Sequence, residues 1–188
     1  RRRLVLLASK LGEITLLPPT HNKKTYLTVR DAIGSLPQIN NGQKDKKDSL
    51  HFTSKLTDLN LKRIKSSVPN GSWEDWDEKL RLKCHKKETG KTYKSVYGRM
   101  SWDEPSPTIT TQFYNYGTGR FGHPEQNRAL SVREASILQT FPKDYKFVES
   151  ENSISMTQLG THIGNAVPVK LGYVIGKSIL KHLELKSE

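Results

Sequence analysis

The one cysteine of the chain, Cys84, is a first candidate for chemistry, because a thiolate can attack an electrophile or bind a metal ion. Its neighbours Lys83, His85 and Lys86 are basic and would stabilise a thiolate. A single cysteine forms neither an internal disulfide nor a multi-thiolate metal site, and this usage favours a reduced, intracellular compartment. We expect Cys84 to be a structural or incidental thiol rather than a catalytic one.

Basic side chains are a second chemical feature, and they are unevenly distributed. The 188 residues carry a net charge of +12. Residues 1–100 contain 22 basic and 10 acidic side chains, whereas residues 101–188 contain 9 of each. This regional excess predicts a surface for a polyanion such as nucleic acid in the first hundred residues. A lysine-rich, solvated face is the alternative.

The elements that would position these residues come from a chain of 188 residues, which has room for one ordinary domain or for one medium and one small domain. With 34% apolar side chains, a thin core is possible. No apolar run approaches the roughly 18 residues of a membrane span. The apolar run 4–8 predicts a strand buried on both faces, which needs neighbours that the next hundred residues can hardly supply. Residues 93–116 are rich in β-branched and aromatic side chains and predict short strands and exposed loops.

Helix starts have recognisable patterns at two places. Thr28 followed by Asp31, and Ser131 followed by Glu134, match the capping box, in which the hydroxyl and the carboxylate each accept a backbone N–H. A last helix is predicted to open at residues 164–168 and to be largely buried, against partners that the chain can barely provide. The other predicted helices cover residues 28–36, 56–66, 76–85 and 130–141.

Three stretches together resemble one family. Residues 128–142 (RALSVREASILQTFP) are similar to the ninth sequence motif of DNA (cytosine-5)-methyltransferases, and residues 158–168 (QLGTHIGNAVP) to the tenth. Residues 1–5 (RRRLV) resemble the end of the eighth motif. The order and the spacing also fit, because the family has a target recognition domain of about a hundred residues between the eighth and ninth motifs. The resemblance covers the whole chain.

The resemblance implies an α/β fold in two parts. One is an incomplete S-adenosylmethionine-dependent methyltransferase domain, Rossmann-like, and the other is a small, mixed, β-containing target recognition domain. We expect residues 1–40 and 150–188 to belong to the methyltransferase domain, the latter as the tenth-motif loop and C-terminal helix. Residues 41–149 would form the recognition domain.

The implied activity is methyl transfer from S-adenosylmethionine to C5 of a cytosine flipped out of double-stranded DNA. In the family a cysteine after proline adds to C6, and a glutamate in a Glu-Asn-Val stretch protonates N3. Neither motif occurs here, and Cys84 follows Lys83 instead. The chain also begins with Arg rather than Met. We therefore expect the C-terminal half of such an enzyme, a fragment or a split subunit, inactive without its N-terminal catalytic half.

The resemblance also assigns candidate site residues. Arg1 and Arg3 match arginines that reach the flipped cytosine and a nearby phosphate. Asn165 and Ala166 match residues that line the donor pocket, where a helix N-terminus suits the donor carboxylate. Asn165 could instead only cap the last helix.

For DNA, residues 107–112 resemble the Thr-rich recognition segment of the family, whose short hydroxyls can approach phosphates. Arginine suits the edge of guanine and glutamine that of adenine. The alternative for this region is a β-hairpin with ordinary cross-strand aromatic pairs. Lysines of residues 62–94 and Arg63 would add attraction that depends on salt. The predicted DNA contacts are Arg99, Thr108, Thr110, Thr111, Gln112, Tyr114 and Arg120.

Two other functions stay open at this point: a non-enzymatic DNA-binding specificity protein with the same recognition fold, and a basic interaction domain that contacts RNA. The segment Gly164-Asn165-Ala166-Val167-Pro168 favours the methyltransferase, because a pure binding module needs no donor-lining loop. The resemblance further implies a cytoplasmic protein, encoded by a bacterium or a phage, whose relatives serve restriction-modification.

Overall fold

A computed structural model describes residues 4–148 and 155–185 of the chain. Its α-helices are α1 (Val29–Ile33), α2 (Asp58–Lys65), α3 (Val132–Leu138), α4 (Met156–Asn165) and α5 (Val169–Glu184). Short 3₁₀ helices lie at Trp73–Asp75, Glu78–Leu80, Lys83–Lys86, Glu88–Thr92 and Tyr116–Thr118. In this described part the β-structure consists of isolated bridges, among them Arg99 with Gly122 and Gly122 with Ala129.

Both predicted capping boxes are present. Thr28 accepts the N–H of Asp31 while the Asp31 carboxylate accepts that of Thr28, and α1 starts directly afterwards. Ser131 and Glu134 make the same exchange at the start of α3. Because each carboxylate returns to its own cap, these two helix starts are fixed by local sequence.

The predicted strands are wrong for the described residues. Residues 4–8 form no strand, and Leu4 and Leu6 are 95% and 85% exposed, because no neighbouring strand lies beside them in the described chain. Residues 93–116 form turns, coil, an isolated bridge position at Arg99 and the start of a 3₁₀ helix, and Tyr97 has a φ of 56° that no strand accommodates. The mixed, β-containing domain is therefore not seen as strands in the described part.

Two helix predictions also need correction. Residues 76–85 form successive 3₁₀ turns, because Trp76 and Arg81 adopt extended backbone and interrupt any longer helix. Gly164 and Asn165 end α4, a helix in a segment that was expected to form the tenth-motif loop, and α5 begins only after Pro168. The last helix, predicted to open within residues 164–168, has Pro168 as its N-cap and Val169 as its first residue, so what the prediction missed is the separate helix α4.

One hydrophobic core draws on all three segments into which the sequence was divided. Val29 and Ile33 of α1 and Leu159 and Ile163 of α4 are buried in the same cluster as Phe113 of the intervening segment. A second cluster lies under the 3₁₀ turns and contains Leu56, Ile64, Trp73, Trp76, Tyr116 and Ala129. The first cluster also contains Ile109, so it places α4 directly beside residues 107–112, which we call the Thr-rich loop.

Helix α5 packs far less than predicted. Among its described side chains only Ser178 and His182 are buried, and both bind the N-terminal segment. Ser178 Oγ accepts the N–H of Leu17 at 3.0 Å, and His182 Nε2 lies 2.8 Å from Ser9 Oγ. Large apolar side chains of α5 remain exposed, including Tyr173, Ile179 and Leu180, and so does Leu185 directly after it. No helix in the described ranges is long and apolar enough to cross a membrane.

Candidate functional site

The Thr-rich loop, residues 107–112, is pinned by two buried side chains and presents polar ones between and beside them. Ile109 and Phe113 are 3% and 0% exposed and belong to the main core. Thr110 and Gln112 are exposed, whereas Thr108 and Thr111 are half-buried. The Gln112 carbonyl accepts the Thr118 hydroxyl at 2.9 Å, so its backbone is fixed while its side chain stays accessible. The loop thus presents hydroxyls and an amide on a rigid base.

Two further predicted contact residues border this loop. Tyr114 is half-buried, lies edge-on to Phe113, and its carbonyl accepts the Ser54 hydroxyl at 2.5 Å. Arg120 is half-buried and donates from Nη1 to the Gly71 carbonyl at 2.8 Å. Arg120 therefore keeps guanidinium donors for another partner.

Arg99 is a structural residue, and its prediction as a base contact is corrected. The side chain is 4% exposed, and its guanidinium donates to four carbonyl oxygens and one side-chain amide oxygen at 2.6–3.2 Å. Arg63, expected to face phosphates, is likewise buried, with its guanidinium over the rings of Trp76 and Tyr97. The partners of Arg99 are Ile64, Ser67, His123, Gln126 and Asn127.

A buried ion pair anchors the ninth-motif helix. Arg128 donates twice to the Glu134 carboxylate, at 2.7 Å each, and the two side chains are 0% and 2% exposed. Burial opposes ionisation of Glu134, but the hydrogen bonds and the charge of Arg128 outweigh it and lower the pKa of the carboxyl group. The network extends further, because Ser131 Oγ lies within hydrogen-bond distance, 2.8 Å, of Nδ1 of His51.

His123 borders the same carboxylate without ionising. Its Nδ1 accepts the N–H groups of Glu125 and Gln126, and its Nε2 lies 3.6 Å from Glu134 Oε1. Burial, with the nearby charges of Arg128 and Arg99, lowers the pKa of His123 to about 4, although Glu134 opposes this. A ring that stays neutral at pH 7 and accepts two backbone N–H groups is a structural element here.

The tenth-motif helix α4 lies directly on the Thr-rich loop. A Cβ added at Gly160 would lie 2.5 Å from the Thr111 carbonyl oxygen, and one at Gly164 would overlap the backbone of Thr110 and Thr111. From the other side, buried Gln139 donates to the Ile163 carbonyl at 2.8 Å. The end of α4 is therefore held between the loop and the end of α3.

The two predicted donor-lining residues follow at this held end. Asn165 is exposed and Ala166 is half-buried, and the Ala166 N–H donates to His162. Asn165 does not cap α5, because Pro168 occupies that cap and no side-chain hydrogen bond closes it. A groove of about 410 Å³ adjoins this turn and is lined by Thr108, Ile109, Gln139, Pro168 and Leu171, among others. Predicted DNA and donor residues thus share one part of the surface.

Comparison with known proteins identifies the family. Residues 1–181 match the C-5 cytosine-specific DNA methylases. The chain belongs to this family. The resemblance read from the ninth and tenth motifs is thereby confirmed. The match also supports the S-adenosylmethionine-dependent methyltransferase fold, of which the described residues provide helices but no strands.

Several relatives are similar to this methylase chain over nearly its whole length. The type II methylase M.HgiDII of Herpetosiphon aurantiacus is 56% identical over 184 residues, 98% of this chain and 52% of that protein. DNA (cytosine-5)-methyltransferase 3 of Arabidopsis thaliana is 33% identical over 186 residues, 86% of the chain and 13% of that protein. The type II methyltransferase M1.BsuMI of Bacillus subtilis (strain 168) is 32% identical, with 93% and 39% covered. The chain thus spans about half the length of the first relative, and less of the other two.

The remaining predicted residues of this methylase chain are placed as follows. Arg1 and Arg3 lie outside the described residues. Cys84 is exposed in a 3₁₀ turn, away from the Pro-Cys context of the family nucleophile. Within residues 4–148 and 155–185, no group of three or more His, Cys, Asp or Glu side chains is arranged to hold a metal ion.

Sequence reasoning missed the residues that hold this site together. Gly160, Gly164 and Gln139 act through contacts between segments distant in the chain, and no local pattern shows such contacts. A usable signal was present for the glycines, because two of them four residues apart in a helix allow another backbone to approach closely. The same spacing at Gly172 and Gly176 meets open space, so spacing alone does not separate the two cases.

Proposed function

We propose that this chain is part of a DNA (cytosine-5)-methyltransferase that transfers a methyl group from S-adenosylmethionine to C5 of a flipped cytosine. Family membership supports the proposal, and so do the names of the relatives. The observation that carries it is the packing of the tenth-motif helix on the Thr-rich loop. This contact sets residues suited to a methyl donor beside residues suited to DNA, as the reaction requires.

The proposed donor residues are Asn165 and Ala166. The turn after α4 fits an anionic group, since it leads into the N-terminus of α5, a helix of 16 residues without a side-chain cap. Asn165 is exposed and offers both a donor and an acceptor at this point. S-adenosylmethionine supplies the transferable methyl group when bound, and these residues would orient its carboxylate end.

The proposed DNA surface is the Thr-rich loop with its borders. Hydroxyls of Thr108, Thr110 and Thr111 would contact phosphates and fix the register, while Gln112 would read a base edge. Tyr114 and Arg120 would border the groove of the duplex. Arg99 is left out, because its donors are taken within the protein.

Exposed lysines would add attraction that is independent of DNA sequence. Lys62, Lys65, Lys83 and Lys87 are exposed, whereas Lys86 pairs with Glu78 at 2.7 Å. Because each phosphate neutralised releases counterions, binding through such lysines weakens steeply as salt rises. The salt dependence of binding therefore reports how many of them touch the backbone.

The partner we propose is the catalytic region that supplies the cysteine and the glutamate, in the same polypeptide or in a second subunit. Arg1 and Arg3 would act beside it, on the flipped cytosine and a phosphate. The exposed apolar residues Leu4 and Leu6, and those of α5, are consistent with such a neighbour. A bacterial, cytoplasmic enzyme of the type II restriction-modification class fits the similarity to M.HgiDII.

The test joins this chain to the amino-terminal region of M.HgiDII and measures transfer of a tritiated methyl group to unmethylated DNA. Transfer to C5 of cytosine is expected. If the joined protein is folded and binds DNA of random sequence without any transfer, the enzyme proposal fails and a DNA-binding specificity protein takes its place.

Asn165→Ala tests the donor site in the same joined protein. It should weaken donor binding and leave the DNA affinity measured without donor unchanged, since Asn165 lies outside the Thr-rich loop. Gln158→Ala, an exposed amide at the other end of α4, is the matched control. Unchanged donor affinity in Asn165→Ala would remove Asn165 from the site.

Gln112→Ala tests the DNA readout. It should alter or relax the set of methylated sequences, because a missing bidentate contact is worth about 1–3 kcal/mol of discrimination. Gln38→Ala, another exposed glutamine, is the control. A site profile identical to the unmodified protein would exclude Gln112 from base recognition.

A further inference from the structure

Helix α4 and the Thr-rich loop are in close contact, and at Gly164 the three nearest atoms to an added Cβ all belong to the backbone of the loop. At Gly164 an added methyl group would overlap the backbone nitrogen of Thr111 and the carbonyl carbon of Thr110. At Gly160 it would lie 2.5 Å from the Thr111 carbonyl oxygen and 2.6 Å from Cε1 of Tyr114. Backbone atoms cannot rotate away as a side chain can, so the two elements move together or separate.

The two glycines of α5, which follows the tenth motif, do not make such a close contact. Among the described residues, no atom lies within 4 Å of a Cβ added at Gly172 or Gly176 of α5. Alanine at these two positions would meet no steric obstacle and would only improve helix propensity. The close contact therefore distinguishes the glycines of α4 from those of α5.

The end of α4 is also tied to α3. Gln139 donates to the carbonyl oxygens of Ile163 and Ala166, at 2.8 and 3.5 Å, and the Lys170 N–H donates to Thr140 Oγ1 at 3.0 Å. Both anchors come from the turn after α3. The segment that carries Asn165 and Ala166 is thus fixed on one side by α3 and on the other by the loop.

We propose that Gly164 is a positioning residue that couples the Thr-rich loop to the donor turn, so that DNA bound at the loop raises the affinity for the donor. The inference rests on the proposed function and deepens it. DNA that fixes the position of Thr110 and Thr111 also fixes α4, which contacts them through Gly164. It thereby fixes Asn165, the next residue in the chain. By linkage, the donor raises the affinity for DNA by the same factor.

The experiment measures this factor directly in the joined protein described above. Radiolabelled S-adenosylhomocysteine, the product form of the donor, is titrated by equilibrium dialysis with and without a pool of unmethylated duplexes of random sequence. The ratio of the two dissociation constants is the coupling factor. We expect roughly fivefold or more for the unmodified protein, a usual size for linked sites.

Gly164→Ala should lower the ratio to below about twofold, because the added methyl group separates loop and helix while both sets of contact side chains remain. Gly160→Ala makes a smaller intrusion, on one oxygen and a movable ring, and should lower the ratio in the same direction. If Gly164→Ala does not fold, the ratio measured for Gly160→Ala tests the coupling instead. Gly172→Ala is the control and should leave the ratio unchanged.

Three results would overturn the coupling. One is a ratio near one in the unmodified protein, and another is a ratio that survives Gly164→Ala in a folded protein. The third is an equal fall in Gly172→Ala. None of these touches the proposed function if methyl transfer persists. Absence of any donor binding and of any transfer would instead overturn both proposals.

Discussion

Replacing Glu134 by glutamine tests how the ninth-motif helix is anchored. Glu134 accepts two hydrogen bonds from Arg128 and one from the Ser131 N–H, and the pair is 0% and 2% exposed. The amide keeps the size of the side chain and one acceptor oxygen. It removes the charge and points N–H groups at the guanidinium, so Arg128 becomes a buried cation without a counter-charge.

The expected cost follows from this geometry. Breaking one side of a buried ion pair destabilises a protein by about 3–5 kcal/mol. We expect the lower end, about 3 kcal/mol, because one oxygen still accepts from Arg128. In a protein of this size that loss corresponds to a fall in Tm of roughly 6–12 °C.

The assay is thermal unfolding followed by circular dichroism, together with urea unfolding to obtain the free energy. Glu125→Gln is the matched control, since Glu125 is exposed and its change should stay within about 0.5 kcal/mol. A fall in Tm of less than about 2 °C for Glu134→Gln would show that the ion pair does not hold α3, and the reasoning would be wrong.

Two further predictions concern His123 and Arg99. Folding lowers the pKa of His123 from its ordinary value of 6.5 to about 4. Its contribution to the free energy of unfolding, about 3 kcal/mol, is therefore complete above pH 6.5 and is lost as the pH falls toward 4. His123→Gln should flatten the pH dependence of the free energy of unfolding in that window. A curve as steep as that of the unmodified protein would contradict the assignment. Glu134 acts at lower pH, since its lowered pKa gives stability that is present above pH 4.5 and lost below it. Arg99→Lys should lower the free energy of unfolding by about 2–4 kcal/mol, because one ammonium group cannot serve five acceptors. The set of sequences that the joined protein methylates should stay the same, and a changed set would show that Arg99 contacts DNA.

Local patterns predicted the parts of the fold whose determinants lie a few residues apart. The capping boxes at Thr28 and Ser131 are examples, since each is complete within four residues. The family was readable for the same reason, because its ninth and tenth motifs are contiguous. The strands were mispredicted because β-pairing depends on distant neighbours, and Leu4 and Leu6 have none in the described chain.

The candidate site was predicted only in part, and the errors have a common cause. Residue type suggested Arg99 for DNA, but burial and hydrogen-bond partners decide whether an arginine is available, and these depend on contacts up to 35 residues away. The α4 contact with the loop joins residues about fifty positions apart, so only the three-dimensional structure reveals it. Asn165, Ala166 and the threonines keep their predicted roles as proposals.

The uncovered side of α5 has a practical consequence for handling the protein. Tyr173 and Leu180 of α5 and Leu185 directly after it are each more than half exposed, and so are Leu4 and Leu6. In concentrated solution, molecules with such a face adhere to one another and to hydrophobic resins. Yield and solubility of the 188-residue chain should therefore improve with mild detergent or low salting-out strength, before any question of catalysis arises.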